Sequence, residues 1–304
     1  ETLAKGYDRL TGFECPGGGY EWFGSDPGHD ALTAYGLLEF TDMAQVHAVD
    51  PAMLQRTRTW LLAQRDGQGG YARKTHTLHT WLAEPEVANP YNTWALLEAK
   101  VEGDLTREVA WVRDAAERAQ NTYVIALGAN VLVLGGDQEG ANHLLDKLAG
   151  KQTDDGSLTG ATTSVVGSGG EALSIETTAL AVLAWLKNPR YAENVEKSIK
   201  YLAESCKAGR FGSTQSTVLA LRAIVAYDQS RAKPKAPGTL QLVVDGSPVG
   251  QVIEFTAETQ GAIELPDAAA VLSPGKHQVQ IQMTGGSQMP YSAALTYHRL
   301  KPDS

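Results

Sequence analysis

The hydrophobic and polar positions along the chain change their period near residue 230. Up to residue 229, apolar residues recur at the three-to-four-residue spacing of helices. A stretch rich in lysine and proline follows, and beyond it apolar and polar residues alternate as they do in strands. The pattern predicts a helical domain over residues 1–229, a linker over 230–238 and a small antiparallel β-domain over 239–304.

Two kinds of helix alternate in the helical part. The first kind consists of small apolar residues on every side, follows a turn that contains glycine, and carries a threonine near its start. A helix that is apolar all round must be covered on all sides. The threonines that mark these helices are Thr33, Thr93, Thr122, Thr177 and Thr217.

The second kind of helix is apolar on one face only, which is typical of a helix at the protein surface. One such helix places Leu54, Thr57 and Leu61 on one side and arginines on the other. Asp50 is its expected N-cap, and Pro51 suits its first turn. Similar one-sided patterns occupy residues 105–120, 138–151 and 188–206.

Helices of these two kinds fit together as two concentric layers, with the small-residue helices inside. This arrangement is an α/α toroid. We expect five inner and five outer helices, whereas a closed ring of six pairs needs about twelve. The predicted fold is therefore mainly α, an incomplete six-pair α/α toroid followed by a small antiparallel β-domain. The missing helix pair is expected upstream of Glu1.

Alternating residues in the tail predict strands. Leu240, Leu242 and Val244 lead to Asp245-Gly246, a pair typical of a hairpin turn. The alternation returns at Val279, Ile281 and Met283, and again at Tyr291, Ala293, Leu295 and Tyr297. We expect this module to be half of a sandwich whose other strands lie outside this chain.

Composition narrows the classes of function. Of the 304 residues, 42% are hydrophobic and 20% are charged, which is ordinary for a globular protein. The net charge is −9 without a basic patch, so nucleic acid is not an expected partner. No apolar run reaches the roughly 18 residues that a membrane-spanning helix needs. Cys15 and Cys206 form no C-x-x-C pair, and we expect either one disulfide or two separate buried thiols.

Several stretches resemble the thioester domain of the α2-macroglobulin and complement family. They are VDPAMLQRTRTWLLAQRDGQGGY, ALTAYGLLEF, IETTALAVLAWL and above all GRFGSTQSTVLALRAI. The last keeps the family's F-x-S-T-Q-x-T-V-x-A-L line almost unchanged. The resemblance covers residues 1–229, and YEWFGSDPGHDALTAYGLLEFTDM is similar to bacterial members. The tail resembles the returning half of the CUB-type β-domain that flanks the thioester domain.

The resemblance implies a fragment of a large, broad-spectrum protease inhibitor that traps proteases in the periplasm or outside the cell. In such a trap a protease cuts a bait segment, the shell rearranges, and an internal Cys–Gln thioester acylates the attacker. The implied partners are the trapped proteases and the other domains of the parent chain, without a cofactor or metal. On this interpretation the chain contributes a scaffold and is not itself an enzyme.

The thioester motif, C-G-E-Q or C-x-E-Q, does not occur in this sequence. Neither Cys15 nor Cys206 is followed by Glu-Gln, and Gln215 has no cysteine nearby. A thioester in the parent protein is therefore expected upstream of Glu1. Without one, the domain would serve as a rigid structural or interaction module of the trap.

Two histidines three residues apart, His76 and His79, follow a glycine-rich turn. H-x-x-H alone is a weak zinc pattern, and the nearby Glu84 and Glu86 add no recognised spacing, so no metal site is predicted. The resemblance implies another role, because complement-type thioester proteins place an acyl-transfer histidine eight residues after the aromatic residue of this turn. Here that position is His79, and His76 is the fallback. Imidazole suits the role because it is a nucleophile when neutral and a good leaving group when acylated.

Enzymes with the same ring form the competing class: terpene cyclases, protein prenyltransferases and glycan-active enzymes. A cyclase needs an acidic D-x-D-D cluster, and the nearest run is TDDG at residues 153–156, on a turn. A prenyltransferase needs Asp, Cys and His ligands for zinc, and Cys206 lacks that context. A glycosidase needs paired carboxylates. The candidate carboxylates are Glu21, Asp26 and Asp30, on a loop where Trp22 and Phe23 would form a sugar platform.

The stretch GRFGSTQST places glycines before a helix N-terminus, as phosphate-binding loops do. It lacks the G-x-x-x-x-G-K-[ST] pattern and follows no strand, so phosphate binding is not predicted. Ser213 or Thr214 is instead expected to cap the helix.

Overall fold

The computed structural model describes residues 2–72, 83–231, 236–259 and 263–287, together with residues 289, 291 and 293. Contacts divide the chain into two compact units, Glu1–Ile224 and Val225–Ser304. The described residues form ten α-helices: α1 Thr2–Thr11, α2 Asp30–Met43, α3 Pro51–Ala63, α4 Pro85–Glu98, α5 Thr106–Arg118, α6 Thr122–Gly135, α7 Gln138–Ala149, α8 Gly170–Trp185, α9 Ala192–Glu204 and α10 Thr214–Arg231. They also form three strands: β1 Gly238–Val244, β2 Ser247–Phe255 and β3 Val279–Gly285.

The helices of the first unit are arranged in two layers. In the inner layer α2, α4, α6 and α8 are successive neighbours. Hydrogen bonds link α10 to the inner helices, from Gln215 to Tyr91 in α4 and from Ser213 to Glu176 in α8. In the outer layer α3 packs against α2 and α4, α5 against α4 and α6, α7 against α6 and α8, and α9 against α8. This alternation is the α/α toroid that the helix patterns predicted.

Burial separates the two layers in the way the sequence pattern indicated. In α6 every residue from Thr122 to Leu132 is buried. In α9 only one stripe, which includes Val195 and Leu202, is buried. Small residues allow the outer helices to pack close to the inner ones. At Gly128 of α6, for example, an added Cβ would overlap the Ala116 side chain of α5.

Capping side chains determine where two of the helices begin. Asp50 accepts a hydrogen bond from the Ala52 amide at 2.9 Å, and Pro51 occupies the first turn of α3, as predicted. At α10, Ser213 Oγ accepts from the Ser216 amide at 3.1 Å, so Ser213 is the cap of the two candidates. Such a cap satisfies an amide that has no partner within the helix.

The second unit contains a three-stranded antiparallel sheet in the order β2-β1-β3. The predicted hairpin turn joins β1 to β2, with Asp245 at φ 51° and Gly246 at φ 81°. Successive positive φ angles match the right-handed twist of paired strands. The strand predicted at 291–297 is not found at Tyr291 or Ala293, which lie in irregular chain with Tyr291 exposed, and Leu295 and Tyr297 lie outside the described residues.

Both cysteines are free thiols, so the disulfide alternative was wrong. Cys15 is buried, and its Sγ donates to the Ser25 carbonyl at 3.3 Å. Cys206 is exposed because it lies in the turn just after α9, which corrects the expectation of two buried thiols.

Candidate functional site

Four loops that contain glycine lead into inner helices, and each is closed by an antiparallel bridge. The bridges pair Glu14 with Tyr20, Arg65 with Tyr71, Gln152 with Leu158 and Lys207 with Arg210. Each loop has a glycine with positive φ, such as Gly156 at 89° and Gly209 at 75°, a conformation that favours glycine. Because every loop precedes the N-terminus of an inner helix, the four loops share one end of the ring, which we call the loop end.

Threonines of the inner helices hold these loops in place. Thr33 Oγ1 accepts a hydrogen bond from the Tyr20 amide at 2.8 Å. Thr217 Oγ1 accepts one from the Phe211 amide at 3.1 Å. Thr33 and Thr217, two of the threonines that mark inner helices in the sequence, therefore also attach the preceding loop to the helix.

In α8 the corresponding residue is one position further along than the sequence pattern indicated. Thr178 Oγ1 accepts from the Leu158 amide at 3.0 Å. Thr177, the residue singled out from the sequence, donates instead to the Leu173 carbonyl of its own helix at 2.8 Å. Thr178 is thus the loop-holding residue of this helix.

The two histidines of the predicted acyl-transfer site, His76 and His79, lie outside the described residues. The structure does describe the residues on either side of the segment that contains them. On one side the Tyr71 hydroxyl is 3.2 Å from Thr93 Oγ1, and burial raises the pKa of Tyr71, which stays a neutral phenol. On the other side α4 begins at Pro85. The role of His79 therefore stays a prediction.

A third histidine, His29, lies at the loop end and was not identified from the sequence. It is the N-cap of α2, and its Nδ1 accepts from the Leu32 amide at 3.4 Å. Burial lowers the pKa of His29, an effect that the nearby Asp30 and Glu21 only partly offset. His29 is therefore neutral near pH 7, with its proton on Nε2. Histidine is not among the preferred N-cap residues, so no pattern marks it in the sequence.

The three carboxylates of the loop considered as a sugar platform are engaged in local structure. Glu21 is buried, and its Oε2 accepts from the amide two residues further on at 2.8 Å. Asp26 accepts twice from the Gly17 amide, at 3.0 and 3.1 Å. Asp30 accepts from Asn92 Nδ2 at 3.0 Å. These contacts do not support a glycosidase site with two carboxylates directed at a substrate.

The acidic run at residues 153–156 does not have the chemistry of a cyclase acid. Asp155 Oδ1 accepts from the Thr153 hydroxyl at 2.5 Å and from the Ser157 amide at 2.9 Å. These hydrogen bonds, that of Thr153 first, lower the pKa of Asp155. Asp155 is therefore ionised at neutral pH, whereas a cyclase acid must carry a proton to deliver it.

A polar cluster inside the ring was not identified from the sequence. Its members Tyr91, Tyr123, Glu176 and Gln215 come from four inner helices, and all are buried. Gln215 Nε2 donates to the Tyr91 hydroxyl at 3.2 Å, and Glu176 Oε1 accepts from Ser168 Oγ at 2.6 Å. Burial raises the pKa of Glu176, although hydroxyl donors partly oppose it. The signal that marks this cluster is Glu176 itself, which interrupts an apolar stretch of α8.

Among the described residues, no three or more His, Cys, Asp or Glu side chains group together as a metal site requires. Nor does any helix in these ranges combine the length and apolar character needed to cross a bilayer. Neither statement covers His76 and His79, which lie outside the described residues.

Comparison with known proteins confirms the resemblance at the level of the family. Residues 1–227 match a family model described as the A-macroglobulin TED domain. Ovostatin of Gallus gallus is 22% identical over 306 residues, which cover 93% of this chain and 21% of ovostatin. Complement C3 of Eptatretus burgeri is 25% identical over 222 residues, which cover 67% of this chain and 13% of that protein. This chain thus spans only a small part of either relative and, with its helical unit matched almost throughout, belongs to the A-macroglobulin TED (thioester) domain family.

Proposed function

We propose that this chain supplies the thioester-domain scaffold of a macroglobulin-like protease trap, from a bacterial protein that works in the periplasm or outside the cell. The observation that carries the proposal is the family match over residues 1–227. Because the aligned parts are 21% of ovostatin and 13% of complement C3, the trap as a whole needs further domains. The partners are trapped proteases and the other domains of the parent chain.

The sheet is proposed to be part of a CUB-like domain. Its central strand β1 is mostly buried, whereas every residue of β3 is exposed. Ile281 of β3 is exposed although it pairs with the buried Leu242 of β1, so apolar surface continues to the edge of the sheet. We expect further strands of the parent protein to cover an apolar edge of this kind.

His79 is proposed as the acyl-transfer residue wherever the parent protein has a Cys–Gln thioester. A ring nitrogen of His79 attacks the thioester carbonyl, the carbon–sulfur bond breaks, and the cysteine leaves as a thiolate. The resulting acyl-imidazole is then attacked by a hydroxyl of the target, whose proton passes to the thiolate. An ester forms and the imidazole is released, so the histidine is regenerated while the thioester is consumed.

The experiment uses the full-length parent protein with His79→Ala and, as the matched control, His76→Ala. After bait cleavage by a protease, we expect His79→Ala to lose ester adducts to a hydroxyl probe such as glycerol. His76→Ala is expected to keep them. Ester formation at the wild-type rate in His79→Ala would contradict the proposed role of His79. The trapping function has its own test.

The trap is tested by the activity of the captured protease. An enclosed protease keeps its activity on small chromogenic peptides and loses it on large protein substrates. We expect this split after incubation with the parent protein, and equal loss on both substrates would contradict entrapment. Adducts that survive denaturation would indicate covalent trapping.

A thioester-less role is the second candidate, and it is favoured by the absence of C-x-E-Q from this sequence. In that case the ring serves as a rigid structural or interaction module, and trapping leaves no adduct after denaturation. On either candidate the isolated chain is expected to show no hydrolase, cyclase or transferase activity. Turnover of an isoprenoid or glycan by this chain would overturn both.

A further inference from the structure

Two of the buried oxygen atoms that have no hydrogen-bond partner among the described residues lie on neighbouring inner helices. They are Oε2 of Glu176 in α8 and the hydroxyl of Tyr123 in α6. Both side chains are fully buried. A buried polar atom without a partner destabilises the fold, and an ordered water or other small molecule can supply the missing partner.

The two oxygens belong to one place in the ring. α6 and α8 are neighbouring inner helices, and the charge of Glu176 adds to burial in raising the pKa of the Tyr123 phenol, while the Val165 backbone opposes it. Burial raises the pKa of Glu176, and the Ser164 hydroxyl is among the donors that oppose it. Ser164 and Val165 are adjacent in the chain, so Glu176 and Tyr123 face the same loop. The two groups nevertheless make no hydrogen bond to each other. Because both oxygens lack a partner and do not pair with each other, one molecule bound between them would supply a partner to each.

The Glu176 carboxyl cannot turn to find another partner without losing those it has. Its Oε1 accepts from Ser168 Oγ at 2.6 Å and from Ser213 Oγ at 3.3 Å. Ser213 is itself fixed as the N-cap of α10. With Oε1 held from two sides, the position of Oε2 is fixed as well.

The neighbouring Tyr91 adds a donor to the same region. Its hydroxyl oxygen accepts from Gln215 Nε2 at 3.2 Å, which leaves the hydroxyl proton available to another group. Tyr91 is buried, and the Glu176 charge also contributes to raising its pKa. Both phenols therefore remain protonated beside the carboxyl.

The charges around Glu176 restrict the class of ligand. Among the described residues no cationic side chain contributes to the pKa of Glu176, so an anionic ligand would meet uncompensated negative charge. A protonated Glu176 offers a donor at Oε2 and an ionised one offers an acceptor. A hydroxyl group satisfies either state, because it both donates and accepts.

We propose that Glu176, Tyr123 and Tyr91 form an internal site for one small, uncharged, hydroxyl-bearing molecule that bridges Glu176 Oε2 and the Tyr123 hydroxyl. Water is the smallest such ligand, and a small alcohol is the alternative source of the same group. The site lies within the ring and does not depend on a thioester, so it stands apart from the proposed trapping function.

The test is a pair of high-resolution crystal structures of the chain, one from a solution free of alcohols and one soaked in ethylene glycol. We expect a peak within hydrogen-bond distance of both Glu176 Oε2 and the Tyr123 hydroxyl. A single peak in both crystals identifies water, and a two-carbon outline after soaking shows that the site admits an alcohol. An empty site, a direct Glu176–Tyr123 hydrogen bond, or a metal-like ion at the peak would overturn the proposal.

Two conservative variants make the test specific. Tyr123→Phe removes one of the two bridged oxygens, and the peak should be lost. Glu176→Gln keeps a side-chain oxygen and adds a donor, so the peak should remain. A peak that persists in Tyr123→Phe, held by other groups, contradicts the bridge. If either variant fails to fold, the wild-type crystals still decide.

Discussion

The inner helices of the ring and the edge strand of the sheet carry equally clear apolar patterns but differ completely in burial. In α6 every residue from Thr122 to Leu132 is buried, whereas every residue of β3 is exposed. The helix has helices against several of its sides, while β3 has a paired strand, β1, along one edge. Apolar periodicity therefore identifies the type of an element, and its burial depends on which neighbours the fold supplies.

The largest effect is expected from removing a large side chain in the ring. Trp185 is fully buried, its Nε1 donates to the Leu145 carbonyl at 3.3 Å, and its ring stacks with that of Tyr191. Trp185→Ala should lower the free energy of unfolding by about 3–5 kcal/mol, because the cavity cannot be refilled. Urea unfolding followed by circular dichroism at the helix band measures this change.

Its matched control lies on the exposed strand. Ile281→Ala in β3 should cost less than about 1 kcal/mol, because the side chain is already 38% exposed. Amide hydrogen exchange in the β1–β3 ladder reports this effect. Similar losses from Trp185→Ala and Ile281→Ala would remove the contrast between the two units.

A glycine in each unit allows a finer comparison of backbone strain. Gly156 at the loop end has φ 89°, and an added Cβ would overlap the backbone carbonyl of Lys197. Gly246 in the hairpin turn has φ 81°, but its Cβ would meet nothing within 4 Å. Gly156→Ala should therefore cost roughly 2–4 kcal/mol and Gly246→Ala only the left-handed penalty of roughly 1–2 kcal/mol.

The difference between the unfolding free energies of the two glycine variants isolates the effect of the close contact. Both changes place alanine in the left-handed region, so that penalty cancels when their unfolding free energies are compared. The remainder measures the contact with the Lys197 carbonyl. Equal costs would show that the loop can move away from α9 without loss.

Local features of the fold could be predicted from the sequence, whereas contacts between residues distant in the chain could not. The two helix types, the Asp50 cap and the hairpin at Asp245-Gly246 could be predicted, because each depends on residues close together in the chain. The loop-holding role of Thr178 could not be predicted, because adjacent helix positions differ by about 100° in direction and only the packed structure decides which one meets the loop. The partners of Glu176 could not be predicted, since Ser213 is 37 residues away in the chain.

A smaller effect should separate the two adjacent threonines. Thr178→Val removes the acceptor of the buried Leu158 amide, which leaves an unpaired donor and should cost about 1–3 kcal/mol. Thr177→Val has nearly the same shape and removes only a donor to the Leu173 carbonyl of its own helix, so it should cost less. The central strand of the sheet differs, because β1 pairs through its backbone with β2 on one side and β3 on the other. Unfolding midpoints of the two variants give the order, and the reverse order would contradict the assignment of Thr178.

The smallest expected effect is a pH dependence in the second unit. His277 Nδ1 is 2.6 Å from Asp245 Oδ2, and its Nε2 is 2.7 Å from the Ser273 carbonyl. A carbonyl can only accept and an ionised carboxylate can only accept, so both ring nitrogens are donors and the imidazole is protonated. Asp245 first and the Ser273 carbonyl second raise the pKa of His277.

The sign of this dependence follows from the raised pKa of His277. Its stabilisation is fully present below the unfolded value of about 6.5 and is lost as pH rises through the higher folded value. The Asp245 carboxylate also accepts from the Gln278 amide at 2.8 Å, so the loss should appear where β3 begins. We expect the Gln278 amide to exchange faster relative to its intrinsic rate at pH 8.5 than at pH 6. In His277→Gln, which keeps a donor group but does not titrate, this relative rate should hardly change with pH. An unchanged pH response in that variant would show that another group is responsible.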